Sequence, residues 1–141
     1  MPDPNFLVLY VDNPAASTAF YRDLFGREPV EASPTFVLFA LERGLMLGLW
    51  SRRTVVPAAV AGGGGAELAV AVADADVDAT FADWTARGLT IAQRPTTMPP
   101  GLAATGRRSR NPGVGRTFVA LDPDGHRLRV FAPAEAKEPA A

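Results

Sequence analysis

The sequence has no cysteine and only one histidine, His126. The first absence excludes disulfides, thiolate metal sites and cysteine nucleophiles. The second leaves too few imidazoles for a zinc site or a two-histidine facial triad. Long apolar runs are also missing: nothing approaches the roughly 20 residues that a membrane helix needs. Charge of one sign is lacking as well. The net charge is -1 over 141 residues, so no strong field draws the chain to nucleic acid or to an anionic membrane. Ser17, Ser33, Ser51 and Ser109 have no histidine placed for a triad, and there is no nucleophile elbow. Gly62–Gly65 lacks the Lys-Ser/Thr of a phosphate loop and precedes a strand, so it reads as a flexible connector. Met1-Pro2-Asp3-Pro4 carries neither the basic nor the apolar part of a signal peptide, and a cytoplasmic location is expected.

What is present is globular. Hydrophobic residues make up 48% and charged residues 21%, enough for a real core. One domain over 1–141 is expected: a first module at about 5–51, a linker at 52–65, a second module at about 66–133 and a frayed tail at 134–141. Residues 6–11 are apolar on both faces and suit a central strand. Asn13 then fits a helix N-cap and Pro14 the first helical position. The helix should run to Phe25, burying Ala16, Phe20 and Leu24, and stop at Gly26. Strands are expected at 28–31, 35–41 and 45–50, with a turn at 42–44.

The pattern then repeats. A strand is read at 68–73, an N-cap at Asp74, and a helix at 75–87 whose stripe is Val77, Phe81 and Trp84. Another strand follows at 89–93. A hairpin comes last, at 116–121 and 126–131, around Asp122-Pro123-Asp124-Gly125. Val11, Asn13, Ser17 and Phe20 fall on Val72, Asp74, Asp78 and Phe81 at one offset. The fold class expected is α+β: two βαβββ modules forming a cupped mixed sheet with a central cleft.

Tyr10-Val11-Asp12-Asn13, Ala19-Phe20-Tyr21-Arg22-Asp23-Leu24-Phe25-Gly26 and Asp122-Pro123-Asp124-Gly125-His126 resemble motifs of the vicinal-oxygen-chelate superfamily, which holds glyoxalases, bleomycin-resistance proteins and extradiol dioxygenases. The resemblance covers about 5–133. Leu47-Gly48-Leu49-Trp50-Ser51 and Gly115-Arg116-Thr117-Phe118 are most similar to the antibiotic-binding resistance proteins, phenazine-type ones above all. Enzymes of the superfamily hold a divalent metal with inward-facing His and Glu side chains. The motifs place those positions here at Phe6, Gly48, Glu67 and Arg129, of which only Glu67 could ligate. No metal and no cofactor are therefore expected. His126 is expected to face solvent or to pack in its turn.

Alternation along the strands puts Phe6, Val8, Tyr10, Met46, Gly48 and Trp50 on the cleft side, with Arg129 and Phe131 from the last strand. The expected ligand-binding set is Trp50, Phe6, Tyr10, Gly48, Met46, Glu67, Arg129 and Phe131. The resemblance implies that Trp50 stacks on the ligand. Gly48 leaves room for a flat ring, and Glu67 and Arg129 are expected to pair across the cleft. The region 95–115, with Arg107, Arg108 and Arg110, reads as a lid or a surface loop. The leading expectation is a non-catalytic protein that sequesters a planar aromatic antibiotic and confers resistance. The resemblance implies a homodimer, often with modules exchanged between chains; no nucleic-acid or membrane partner is expected. Two alternatives stand beside it: a metal-independent lyase or isomerase using Glu67 as base, and an accessory dimer without a ligand.

Overall fold

A computed structural model of the chain describes residues 1–98 and 115–133. The tail 134–141, and Arg107, Arg108 and Arg110 of the expected lid, lie outside the described residues.

Two βαβββ modules are present. The first comprises β1 (Phe6–Val11), α1 (Pro14–Phe25), β2 (Glu31–Ala32), β3 (Phe36–Ala40) and β4 (Met46–Ser51). The second comprises β5 (Glu67–Ala71), α2 (Asp74–Ala86), β6 (Thr90–Thr97), β7 (Arg116–Leu121) and β8 (Arg127–Phe131). Each makes a four-stranded mixed sheet, in the orders β1-β4-β3-β2 and β5-β8-β7-β6. The outer pairs β1/β4 and β5/β8 are parallel, and the other pairs are antiparallel. No helix among the described residues is long and apolar enough to cross a membrane.

Helix α1 starts as its sequence dictates. The Asn13 side chain accepts from the Ala15 and Ala16 N–H groups at 3.1 and 3.2 Å, Pro14 opens the helix, and Gly26 closes it at φ 64°. Its buried face is not the expected one. Pro14, Ser17, Thr18 and Tyr21 are buried, whereas Ala16 is exposed and Phe20 and Leu24 are half-buried. The helix is turned by about one residue because Tyr21 and Ser17 have polar partners inside the fold. Helix α2 also differs. Its cap is Ala73, without a side-chain bond, and Asp74 lies in the first turn, where its charge suits the helix dipole. Its stripe is as expected: Phe81 and Trp84 sit edge-on to Phe118 at 5.5 and 5.3 Å, and Val77 is buried.

Strand lengths depart from expectation mainly at β2, only Glu31–Ala32, and at β6, which extends to Thr97. β6 is the outer strand of its sheet and contains Pro95. An edge tolerates proline, and the register shifts twice, between Ile91 and Gln93 and between Gln93 and Thr96.

The chain divides into two compact units. One is Met1–Gly65 together with Asp122–His126, and the other holds the remaining described residues. The β7–β8 turn thus belongs to the first unit, where Asp122 is its anchor. Asp122 is 5% exposed. One carboxylate oxygen accepts from the Asp124 and His126 N–H groups at 2.8 Å each, and the other accepts from the Tyr21 hydroxyl at 2.7 Å. Asp124 accepts from the Asp12 N–H at 2.8 Å and from the Ser17 hydroxyl at 3.3 Å. The connector closes on this turn. A Cβ on Gly63 would lie 2.6 Å from the Asp124 carbonyl oxygen and 2.7 Å from the His126 nitrogen. The glycine run is therefore more than a flexible spacer: one of its members must lack a side chain.

Burial and the adjacent Asp122 carboxylate push the Tyr21 phenol far above the usual tyrosine range. The unfolded chain loses this proton near pH 10, and the folded chain keeps it. Stability is therefore intact below about pH 10 and falls above it by about 1.4 kcal/mol per pH unit. In a Tyr10→Phe variant Tyr21 is the sole tyrosine. Phenolate absorbance should then rise together with the loss of far-ultraviolet ellipticity. Phenolate formed reversibly in the folded protein near pH 10 would contradict the burial argument.

Candidate functional site

The first sheet has one face under its helix and one open face; in the second, Thr117 and Val119, on the face away from α2, are buried as well. In the first sheet, parallel β1 and β4 pair Phe6 with Met46, Val8 with Gly48 and Tyr10 with Trp50. β3 adds Phe36 opposite Trp50, Leu38 opposite Gly48 and Ala40 opposite Met46. Alternation places all of these side chains on the open face, because Leu9, Val11, Val37, Phe39, Leu47 and Leu49 are the buried ones. Phe6 is 55% exposed and Val8 39%. Trp50 is half-buried. Tyr10 stands edge-on to it at 6.3 Å and 75°, and Phe36 at 6.4 Å and 80°. The five first-module residues of the expected set, Phe6, Tyr10, Met46, Gly48 and Trp50, thus share one surface.

Phe36 was not in that set. The signal was available: a hairpin around 42–44 puts Leu41 opposite Leu45, and counting outward puts Phe36 opposite Trp50. The consequence at Gly48 is specific. A Cβ there would lie 2.9 Å from Phe36 Cζ and 3.5 Å from Val8 Cγ2. The room that glycine leaves is taken by the chain's own phenyl ring.

The second sheet offers different chemistry at matching positions. β5 and β8 pair Glu67 with Arg127, Ala69 with Arg129 and Ala71 with Phe131. By register Glu67 corresponds to Phe6, Arg129 to Gly48, Phe131 to Trp50 and Thr117 to Phe36. Arg129 grips Glu67 with a two-pronged contact, Nε to Oε2 at 2.5 Å and Nη2 to Oε1 at 3.1 Å, and donates from Nη1 to the Thr117 hydroxyl at 3.0 Å. Arg127 approaches the same carboxylate at 3.8 Å. This corrects the expected pairing across a cleft: Glu67 and Arg129 are neighbours on adjacent strands of one sheet. The hydrogen bond from Arg129 holds the Glu67 carboxyl below the ordinary range, against a smaller opposing effect of burial.

A family model for the glyoxalase/bleomycin resistance protein/dioxygenase superfamily matches residues 4–130. The chain belongs to that superfamily. The phenazine antibiotic resistance protein EhpR of Enterobacter agglomerans is 30% identical over 130 residues, 90% of this chain and 89% of that protein. The solution structure of protein ATC0852 from Agrobacterium tumefaciens is 52% identical, with a TM-score of 0.79 over 96% of this chain and 100% of that one. A lactoylglutathione lyase from Agrobacterium tumefaciens shares the fold at 23% identity, with a TM-score of 0.68 over 92% of each chain.

At the positions where the resemblance places the metal ligands of superfamily enzymes, the residues here do not suit a metal. Phe6 and Gly48 offer no donor, Arg129 is a permanent cation, and Glu67 is already committed to that cation. Among the described residues no group of three or more His, Cys, Asp or Glu side chains is placed to hold an ion. His126 donates from Nε2 to the Tyr10 carbonyl at 2.9 Å, so it packs in its turn.

Proposed function

We propose that this chain binds a planar aromatic small molecule without transforming it, and that this sequestration protects against an antibiotic of the phenazine kind. The observation that carries the reading is the open aromatic face: Trp50 flanked edge-on by Tyr10 and Phe36, with Phe6 and Val8 exposed beside them. Exposed apolar area of this kind on a sheet face fits a ligand site. The likeness to a phenazine resistance protein supports the same ligand class. Phe6, Tyr10 and Trp50 supply the aromatic contact, Trp50 by stacking, with Met46 and Gly48 on the same face. Glu67, Arg129 and Phe131 are proposed as the polar and second aromatic contribution. The functional molecule is proposed to be a cytoplasmic homodimer. The alternative of an enzyme using Glu67 as base is disfavoured by the Arg129 contact. A carboxylate held in its charged form by two hydrogen bonds is a weak proton acceptor.

Phenazine should quench tryptophan fluorescence, and Trp84→Phe should retain the quenching because Trp84 packs on Phe118. Trp50→Ala should lower affinity by at least about thirtyfold, or about 2 kcal/mol, and leave stability nearly unchanged. Unaltered affinity in a folded Trp50→Ala protein would exclude the stacking role. Unfolding of that variant would make Trp50 a core residue. Conversion of the ligand during the titration would exclude simple sequestration.

A further inference from the structure

We infer that Phe36 is the specificity-determining gate of the aromatic face, a ring of the chain's own that fills the slot over Gly48 until a planar ligand displaces it. The inference rests on the binding reading above and adds what must move and what then fits. Three observations converge. Gly48 has no side chain, and an added Cβ would lie 2.9 Å from Phe36 Cζ and 3.1 Å from Cε2, so the phenyl edge lies directly on the glycine backbone. The ring is only half-buried and stands at 80° to the Trp50 indole. The other wall of the slot is Val8, 3.5 Å from that Cβ position and itself 39% exposed, so the slot lies at the solvent-facing surface of the sheet.

The slot is therefore one phenyl ring in size, flanked by Trp50 and Val8. The ligand it suits is a fused aromatic whose terminal six-membered ring is unsubstituted on the edge that enters. Phe36 is a ring on a rotatable side chain, so rotation about its Cα–Cβ bond clears the slot without disturbing the strand. A residue that occupies the binding position lowers apparent affinity by the fraction of time the position is free. Removing it has the opposite sign to removing an ordinary wall residue, which loses contact and weakens binding.

Calorimetry with phenazine on the wild type, Phe36→Ala and Phe36→Leu tests this, with stopped-flow mixing for the association rate. The gate predicts about tenfold tighter binding for Phe36→Ala, carried by faster association, for a slot free about one-tenth of the time. Phe36→Leu, which keeps an apolar side chain on the strand, should shift in the same direction by less and serves if the alanine variant does not fold. Binding by the variants alone also supports the gate. Wild-type binding with equal or weaker binding by the variants overturns the gate and leaves the binding reading standing. No binding by any of the three overturns the binding reading, and the gate falls with it.

Discussion

Replacing Asp122 by alanine should destabilise the protein by about 3–5 kcal/mol, far more than a turn residue ordinarily costs. The carboxylate is 5% exposed and accepts three hydrogen bonds, from the Tyr21 hydroxyl and from the Asp124 and His126 N–H groups. Alanine leaves the Tyr21 hydroxyl without its acceptor in a fully buried position, at about 1–3 kcal/mol for such a group. It also releases the two N–H groups that shape the turn. Asp122→Asn keeps the volume but turns an amide NH2 toward donors on one side, so it should recover only part of the loss. Urea denaturation followed by circular dichroism measures both. A midpoint equivalent to a loss below about 1 kcal/mol for Asp122→Ala would mean that water replaces the carboxylate and that the turn is not anchored by it.

Phe118→Ala should cost about as much, 3–5 kcal/mol, for a different reason. Phe118 is fully buried, and both Phe81 and Trp84 meet it edge-on from α2. Deleting the ring removes the common partner of the helix stripe and leaves a cavity that two rings on a rigid helix fill only partly. Phe118→Leu should cost less, since it keeps much of the volume. In a Trp50→Phe background Trp84 is the only indole, and its emission should move to longer wavelength in Phe118→Ala as water reaches it. Unchanged emission with a small stability loss would show that α2 packs on the sheet without this ring.

Elements fixed by local rules were readable in the sequence. Asn13-Pro14 and Gly26 bound α1 as their chemistry requires, and the Asp-Pro-Asp-Gly turn joins β7 to β8 as expected. Long-range effects were not. The period-four stripe Ala16, Phe20, Leu24 was the most apolar reading of α1, yet the helix buries Ser17 and Tyr21. Their partners, Asp124 and Asp122, lie more than a hundred residues away, beyond the reach of any window. Asp74 looked like a cap by analogy with Asn13, but it lies inside the helix, in its first turn, and Ala73 takes the cap position. The Glu67–Arg129 pair followed from its residue types, whereas its placement within one sheet needed the parallel register of β5 and β8. Phe36 was missed for the opposite reason. Its register was countable from the hairpin, but a phenylalanine in an apolar strand looks like any other until the glycine opposite is considered.

The irregular course of β6 has a consequence for behaviour at high concentration. A regular outer strand presents an evenly spaced row of free N–H and C=O groups on which another chain can polymerise. β6 interrupts that row with a proline, which has no N–H, and with two register breaks that twist the backbone out of a common plane. Arg94, exposed on the same strand, adds a charge that an incoming strand would have to bury. The outer edge of the second sheet is therefore a poor template for amyloid-like growth.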